Sequence, residues 1–153
     1  MKRKDTIPFD QFRHISLNAS SLKKTTPQVI VLVITRWNAY DNRKTIRTIF
    51  ANDTDLSLTY KLVFLFNYPE DCSTEDLAHL TEESQKNQDL LLPNVEDSYK
   101  TVALKLLAAF HWLQVIQWPV FQWLVKIDDD VILNLKNLDV YLSSRKAFYL
   151  IYL

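Results

Sequence analysis

The 153-residue chain predicts an α/β domain with a mostly parallel sheet and flanking helices. Short runs dense in β-branched and other apolar residues, Val29–Ile34 foremost, read as strands buried on both faces. Between them lie stretches whose apolar residues recur at helical spacing, so strands and helices alternate. The length suits one domain, and 48% apolar with 24% charged residues suits a packed globule rather than a disordered chain.

The elements run in order along the chain. Residues 1–27 form a polar lead-in, basic at its start (Lys2, Arg3, Lys4) and closed by Pro27, and residues 28–153 carry the domain. Val29–Ile34 is the first strand. Asp41 caps a short helix over Arg43–Phe50, with Ile46, Ile49 and Phe50 turned inward. A polar loop leads to the second strand, Tyr60–Phe66, ended by Asn67 and Pro69. Ser73 and Asp76 form a capping box that opens a helix over Thr74–Lys86. Its Leu77 and Leu80 face the core, and Glu82, Glu83 and Lys86 face water. Asp89–Leu92 is a short third strand stopped at Pro93. Asp97 or Ser98 caps the longest helix, Tyr99–Gln117, with Val102, Ala103, Leu106, Phe110 and Leu113 as its apolar stripe and Pro119 as its end. Val120–Ile127 is a fourth strand running into Asp128, Asp129 and Asp130. Leu135–Ser144 is a helix, and Ala147–Leu153 reads as an apolar element cut short.

Composition excludes several functions. The chain has no glycine, where average usage would give about eleven. Glycine-dependent phosphate loops, dinucleotide fingerprints, EF-hands and nucleophile elbows are therefore ruled out, and tight positive-φ turns either fall to Asn or Asp or are avoided. Eighteen basic residues balance eighteen acidic ones, which argues against a dedicated nucleic-acid binder. Cys72 is the single cysteine, so neither an internal disulfide nor a CxxC metal knuckle can form. Val29–Ile34 is too short to cross a bilayer, and the basic start lacks the apolar stretch of a signal peptide. Two N-x-S/T triplets, Asn18-Ala-Ser20 and Asn52-Asp-Thr54, would accept glycans if the chain enters the secretory lumen.

Three segments carry chemistry. Asp128, Asp129 and Asp130 break an apolar strand at its carboxyl end, where α/β sheets bind ligands. Adjacent carboxylates repel, and a hard divalent cation such as Mg²⁺ or Mn²⁺, sharing its shell with substrate phosphates, relieves that repulsion. Strand alternation points Asp128 and Asp130 the same way and Asp129 the other. A solvated acidic turn is the competing reading. Arg43 and Arg47 come after the first strand, one helical turn apart, placed either to meet a diphosphate or to form an exposed basic face. Asp97 and Lys105 come after the third strand. Capping accounts for Asp97, whereas Lys105 on an apolar helix is less easily explained.

Together these segments resemble the β-1,3-galactosyltransferase family, glycosyltransferase family 31, which also includes N-acetylglucosaminyl- and Fringe-type transferases. Its R-x-x-I-R-x-T-W pattern is matched by Arg43, Ile46, Arg47 and Thr48, with Thr48-Ile49-Phe50 standing for the final Thr-Trp. Its D-x-Y-x-N-L-T-x-K pattern is matched at Asp97, Tyr99 and Lys105, with Thr101-Val102-Ala103 in place of Asn-Leu-Thr. Its K-x-D-D-D pattern is matched at Lys126 and Asp128–Asp130, and Trp112 stands where the family often has a helix tryptophan. The agreement covers about Val29–Leu138.

The resemblance implies a GT-A, Rossmann-like fold and a Golgi enzyme, membrane-anchored in full-length relatives. It implies inverting transfer of galactose or N-acetylglucosamine from a UDP-sugar to a glycan acceptor in β-1,3 linkage, dependent on Mn²⁺. Asp130, with Asp128, would hold the metal, and Asp128 and Asp129 would lie by the ribose and donor sugar. Arg43, Arg47, Asp97 and Lys105 would complete the donor side. The family's general base belongs to an acceptor-binding half beyond its D-D-D motif, which has no counterpart before Leu153. The chain is therefore expected to be a donor-binding part, truncated after that motif. The alternatives are a nucleotide-sugar-binding fragment without catalysis and a carboxylate-cluster nuclease, the latter disfavoured by zero net charge.

Overall fold

A computed structural model describes residues 27–67, 72–93, 102–115, 121–145 and 149–152. The expected sheet is present and, among the described residues, wholly parallel. Its strands are β1 (Val29–Ile34), β2 (Tyr60–Leu65), β3 (Leu90–Leu91), β4 (Trp123–Asp128) and β5 (Tyr149–Tyr152), in the spatial order β3-β2-β1-β4-β5. The helices are α1 (Tyr40–Asn52), α2 (Thr74–Asn87), α3 (Val102–Val115) and α4 (Leu135–Ser143). The arrangement is the Rossmann-like α/β sheet that the sequence predicts. β5 falls inside the apolar tail read as a cut element.

Each central strand is buried on both sides because its alternate residues feed two cores. Val29, Val31 and Val33 pack with Phe64, Trp123, Val125 and Ile127 under Ile46 of α1, Leu80 of α2, and Leu138 and Leu142 of α4. Ile30 and Leu32 pack with Val63, Leu65 and Leu124 under Ala109, Trp112 and Leu113 of α3. Three helices thus cover one face and α3 covers the other. The topology reverses between β1 and β4, since β2 and β3 extend to one side of β1 while β4 and β5 extend to the other. Parallel sheets of this kind open a ligand crevice beyond the strand ends at that reversal.

The structure corrects several local expectations. α1 starts at Tyr40, and its cap position is Ala39, which offers no side-chain acceptor. Asp41 lies instead in the first turn, where its charge favours the positive end of the helix dipole. α2 has the expected capping box: Ser73 Oγ accepts from the Asp76 amide at 3.1 Å, and Asp76 accepts from the Ser73 amide at 3.0 Å. Its Glu83, however, is buried rather than solvated. On α3 the buried line runs through Lys105, Ala108, Ala109, Trp112 and Leu113, while Ala103 is exposed. The buried stripe is therefore rotated by part of a turn from the predicted one. Among the described residues one non-glycine has positive φ, and it is Gln88 (φ 52°), ending α2 where Asn or Asp was expected.

Candidate functional site

The reversal point is built by the residue after β1 and those after β4. Ile34 pairs with Asp128 in register, so Thr35 and Asp129 leave the sheet side by side. The Asp129 amide donates to the Ile34 carbonyl at 3.1 Å, and Thr35 Oγ1 donates to Asp129 Oδ2 at 2.6 Å. Thr35 is buried and is anchored to β2 through its amide on the Leu65 carbonyl at 3.1 Å. It is a site residue that sequence reasoning missed. The available signal was its position, the first polar residue after a buried strand at a carboxyl edge.

Asp128 faces the other side. Lys126 Nζ donates to its Oδ1 at 2.7 Å, as strand alternation allows for residues two apart. The Asp128 carboxylate is about half exposed (49%). The expected alignment of Asp128 with Asp130 does not carry through, because β4 ends at Asp128. The chain then turns, with the Val131 amide on the Asp128 carbonyl at 3.3 Å, and Asp130 is exposed on that turn. Ile132, just beyond, is 93% exposed.

Asp128, Asp129 and Asp130 supply only oxygen donors, the chemistry that suits Mg²⁺ or Mn²⁺. Among the described residues no three His, Cys, Asp or Glu side chains stand close enough to cage a metal by themselves. An ion held by one or two carboxylates with the rest of its shell from phosphate and water fits this set, and such shells are usual for Mg²⁺-like ions.

Arg43 and Arg47 are placed quite differently from an exposed basic face. Arg43 is 1% exposed. Its Nε and Nη2 donate to Glu83 Oε1 and Oε2 at 2.8 and 2.6 Å, while Nη1 and Nη2 reach the carbonyls of Arg36 and Trp37 at 2.6 and 3.1 Å. Its guanidinium lies over the Phe66 ring, 4.9 Å from the centroid. Arg47 pairs with both oxygens of Asp89 at 2.7 and 2.8 Å and with Glu83 at 2.7 Å, over the Phe64 ring at 4.8 Å. Burial alone would raise the Glu83 carboxyl, but the two guanidiniums hold it below the ordinary glutamate range. Burial alone would lower Arg47, and its two carboxylate partners raise it instead. Two cations and two anions thus neutralise one another between α1, α2 and the sheet. Leu80 lies one helical step before Glu83 on the same α2 face, and that spacing was the overlooked signal.

Lys105 is buried in the first described turn of α3, the helix covering the sheet face that carries Lys126 and Asp128. Asp97 lies outside the described residues. The site therefore brings together Thr35, Asp128, Asp129 and Asp130, with Arg43 behind the loop that leads from Thr35.

Two cavities flank these elements. One of about 230 Å³ opens between the starts of α1 and α2, lined by Trp37, Tyr40, Arg43, His79 and Glu83. The other, about 380 Å³, lies near the beginning of β2 beside Phe50, Tyr60 and Lys61. It is at the opposite end of the strands from the carboxylates, so its larger volume does not make it the site.

Likeness to known proteins runs through the same segments. Residues 41–149 match the family described as Galactosyltransferase. The chain is similar to a human lactosylceramide 1,3-N-acetyl-beta-D-glucosaminyltransferase, 30% identical over 121 residues, covering 76% of this chain and 32% of that protein. It is similar to mouse beta-1,3-galactosyltransferase 4, 28% identical over 120 residues, covering 78% and 31%. It is also similar to mouse N-acetyllactosaminide beta-1,3-N-acetylglucosaminyltransferase 2, 28% identical over 146 residues, covering 92% and 36%. The chain spans about a third of the length of these relatives.

Proposed function

Since the chain belongs to the galactosyltransferase family, we propose that it is the donor-binding part of a β-1,3-hexosyltransferase of the secretory pathway, working in the Golgi lumen. The donor is a UDP-sugar carrying galactose or N-acetylglucosamine, the acceptor is a glycan on protein or lipid, and the bound ion is Mn²⁺. The observation that carries the proposal is the Thr35–Asp129 hydrogen bond. It fixes the carboxylate turn at the sheet's reversal point, the place beyond the strand ends where sheets of this kind take their ligands.

In inverting transfer an acceptor hydroxyl oxygen bonds to the sugar's anomeric carbon. The bond from that carbon to the diphosphate breaks, UDP carries away the electron pair, and the hydroxyl proton passes to a base. Asp130, with Asp128, would hold the ion, whose chemistry is to neutralise the departing diphosphate. Asp129, fixed by Thr35, orients the donor without competing for that ion. Lys126 holds Asp128 in place and offsets part of the acidic charge before donor arrives. Carboxylates beside a cation are poor proton acceptors. The acceptor's base is therefore assigned to none of the described residues.

The second reading is nucleotide-sugar binding without turnover, which the described residues would serve without an acceptor base. Calorimetry with UDP tests the shared premise. Binding strengthened by Mn²⁺ and weakened by EDTA is expected, and absence of heat from folded protein overturns it. Assays with UDP-galactose and UDP-N-acetylglucosamine on β-linked acceptors then separate the two readings.

A further inference from the structure

We propose that Glu83 and Arg43 form a positioning pair that sets the shape of the donor site from outside it. The inference rests on the donor-binding reading above. Glu83 engages Arg43 through both carboxylate oxygens, which fixes the guanidinium plane. That plane also donates to the loop between β1 and α1. Nη1 reaches the Arg36 carbonyl at 2.6 Å and Nη2 reaches the Trp37 carbonyl at 3.1 Å.

These residues come directly after Thr35, whose hydroxyl holds Asp129 at 2.6 Å. A continuous set of short contacts therefore runs from Glu83 through Arg43 and the Arg36 carbonyl to Thr35 and Asp129. The Ala39 amide closes a turn on the same Arg36 carbonyl at 3.2 Å, so that oxygen takes two donors and the loop has little freedom.

Stability alone does not account for this arrangement. Burying an ion pair costs about as much in lost hydration as the pairing returns, and well-packed apolar side chains often serve a core as well. What apolar side chains cannot do is point several donors at two successive carbonyls. Arg43, already anchored by Glu83 and lying over the Phe66 ring, does this with a rigid fork. Lysine in its place would keep the charge but lose the fork.

The test compares the wild-type chain with Glu83→Gln and Arg43→Lys. UDP affinity in the presence of Mn²⁺ is measured by calorimetry, well below each variant's melting temperature and on protein shown folded by circular dichroism. Leu142→Ala, a core truncation on α4, serves as a control destabilised without touching the pair. A positioning role predicts UDP binding about tenfold weaker in either variant, and unchanged affinity in the control. Amide exchange at residues 36–39 should accelerate in Arg43→Lys, the milder change if Glu83→Gln folds poorly. Wild-type protein that binds no UDP overturns the donor-binding reading and this inference with it. Wild-type binding matched within twofold by a folded Arg43→Lys or Glu83→Gln overturns the inference alone.

Discussion

Thr35 and Asp129 are far apart in sequence, yet the Thr35 hydroxyl sits 2.6 Å from Asp129 Oδ2 and closes the ends of β1 and β4 on each other. A hydrogen bond to a charged acceptor is worth about 1.5–3 kcal/mol, and more is lost if a buried partner is left unsatisfied. Thr35→Val, nearly the same in size, should lower the unfolding free energy by about 1–3 kcal/mol. It should also weaken UDP–Mn²⁺ binding about tenfold, because the Asp129 carboxylate can then rotate. Denaturant unfolding and calorimetry on the same sample check both.

Asp130 calls for the opposite pattern. Its side chain is exposed on the turn after β4. Asp130→Ala should leave stability within about 0.5 kcal/mol, as surface changes usually do, and should abolish the strengthening of UDP binding by Mn²⁺. A variant that still responds to Mn²⁺ like wild type would remove Asp130 from the metal site.

Lys126 tests the other side of the turn. Its partner Asp128 is half exposed, so the pair adds little to folding. Lys126→Met is expected to melt close to wild type. In the absence of nucleotide it should bind Mn²⁺ more tightly, because a cation 2.7 Å from Asp128 has been removed. Manganese titration monitored by electron paramagnetic resonance measures this directly.

Acid sensitivity should centre on two buried carboxylates. Burial would push Asp139 up. The Ser57 amide and hydroxyl, the Leu58 amide and the Tyr60 hydroxyl, at 2.8–3.0 Å, instead hold it below the ordinary aspartate range. Glu83 is held down by its arginines in the same way. Each folded value lies below the unfolded one. The stability they contribute is thus complete above the unfolded values, about 3.9 for Asp and 4.3 for Glu, and is lost as pH falls through the folded values. The unfolding free energy should be level above about pH 5.5 and fall below about pH 4. Asp139→Asn should lower the plateau by about 1.5–3 kcal/mol and flatten part of the acid limb, as seen in denaturant titrations at several pH values.

Most of the sheet was legible because its strands are apolar on both faces and leave no ambiguity about burial. Val29–Ile34 matches residue for residue, and Ser73 with Asp76 marks the start of α2 through a local bond pattern that needs no tertiary partner. Glu83 was misread for a physical reason. A lone glutamate on a helix is ordinarily solvated, and only the approach of Arg43 and Arg47 from α1 makes its burial tolerable. For the same reason the two arginines, legible as a pair on one face, could not be oriented from sequence. The carboxylate triplet was legible as a site because charge interrupts an apolar strand. Its internal geometry was not, since alternation holds only while the strand lasts, and β4 stops at Asp128.

The left-handed turn at Gln88 has a consequence for chain length. Its amide bonds the Ser84 carbonyl at 2.9 Å and turns the backbone so that Asp89 arrives beside Arg47 while Glu83 stays on the helix behind it. The distance between the two acids is thus metered by one helical turn and one reversal. Each residue added within α2 rotates the chain beyond it by about 100°, enough to carry Asp89 away from its arginine. Gln88→Gly, which suits positive φ, should be accepted without loss. A single alanine inserted after Asn87 should not, although surface connections generally accept insertions. This short segment acts as a ruler, sensitive to its number of residues far more than to their identity.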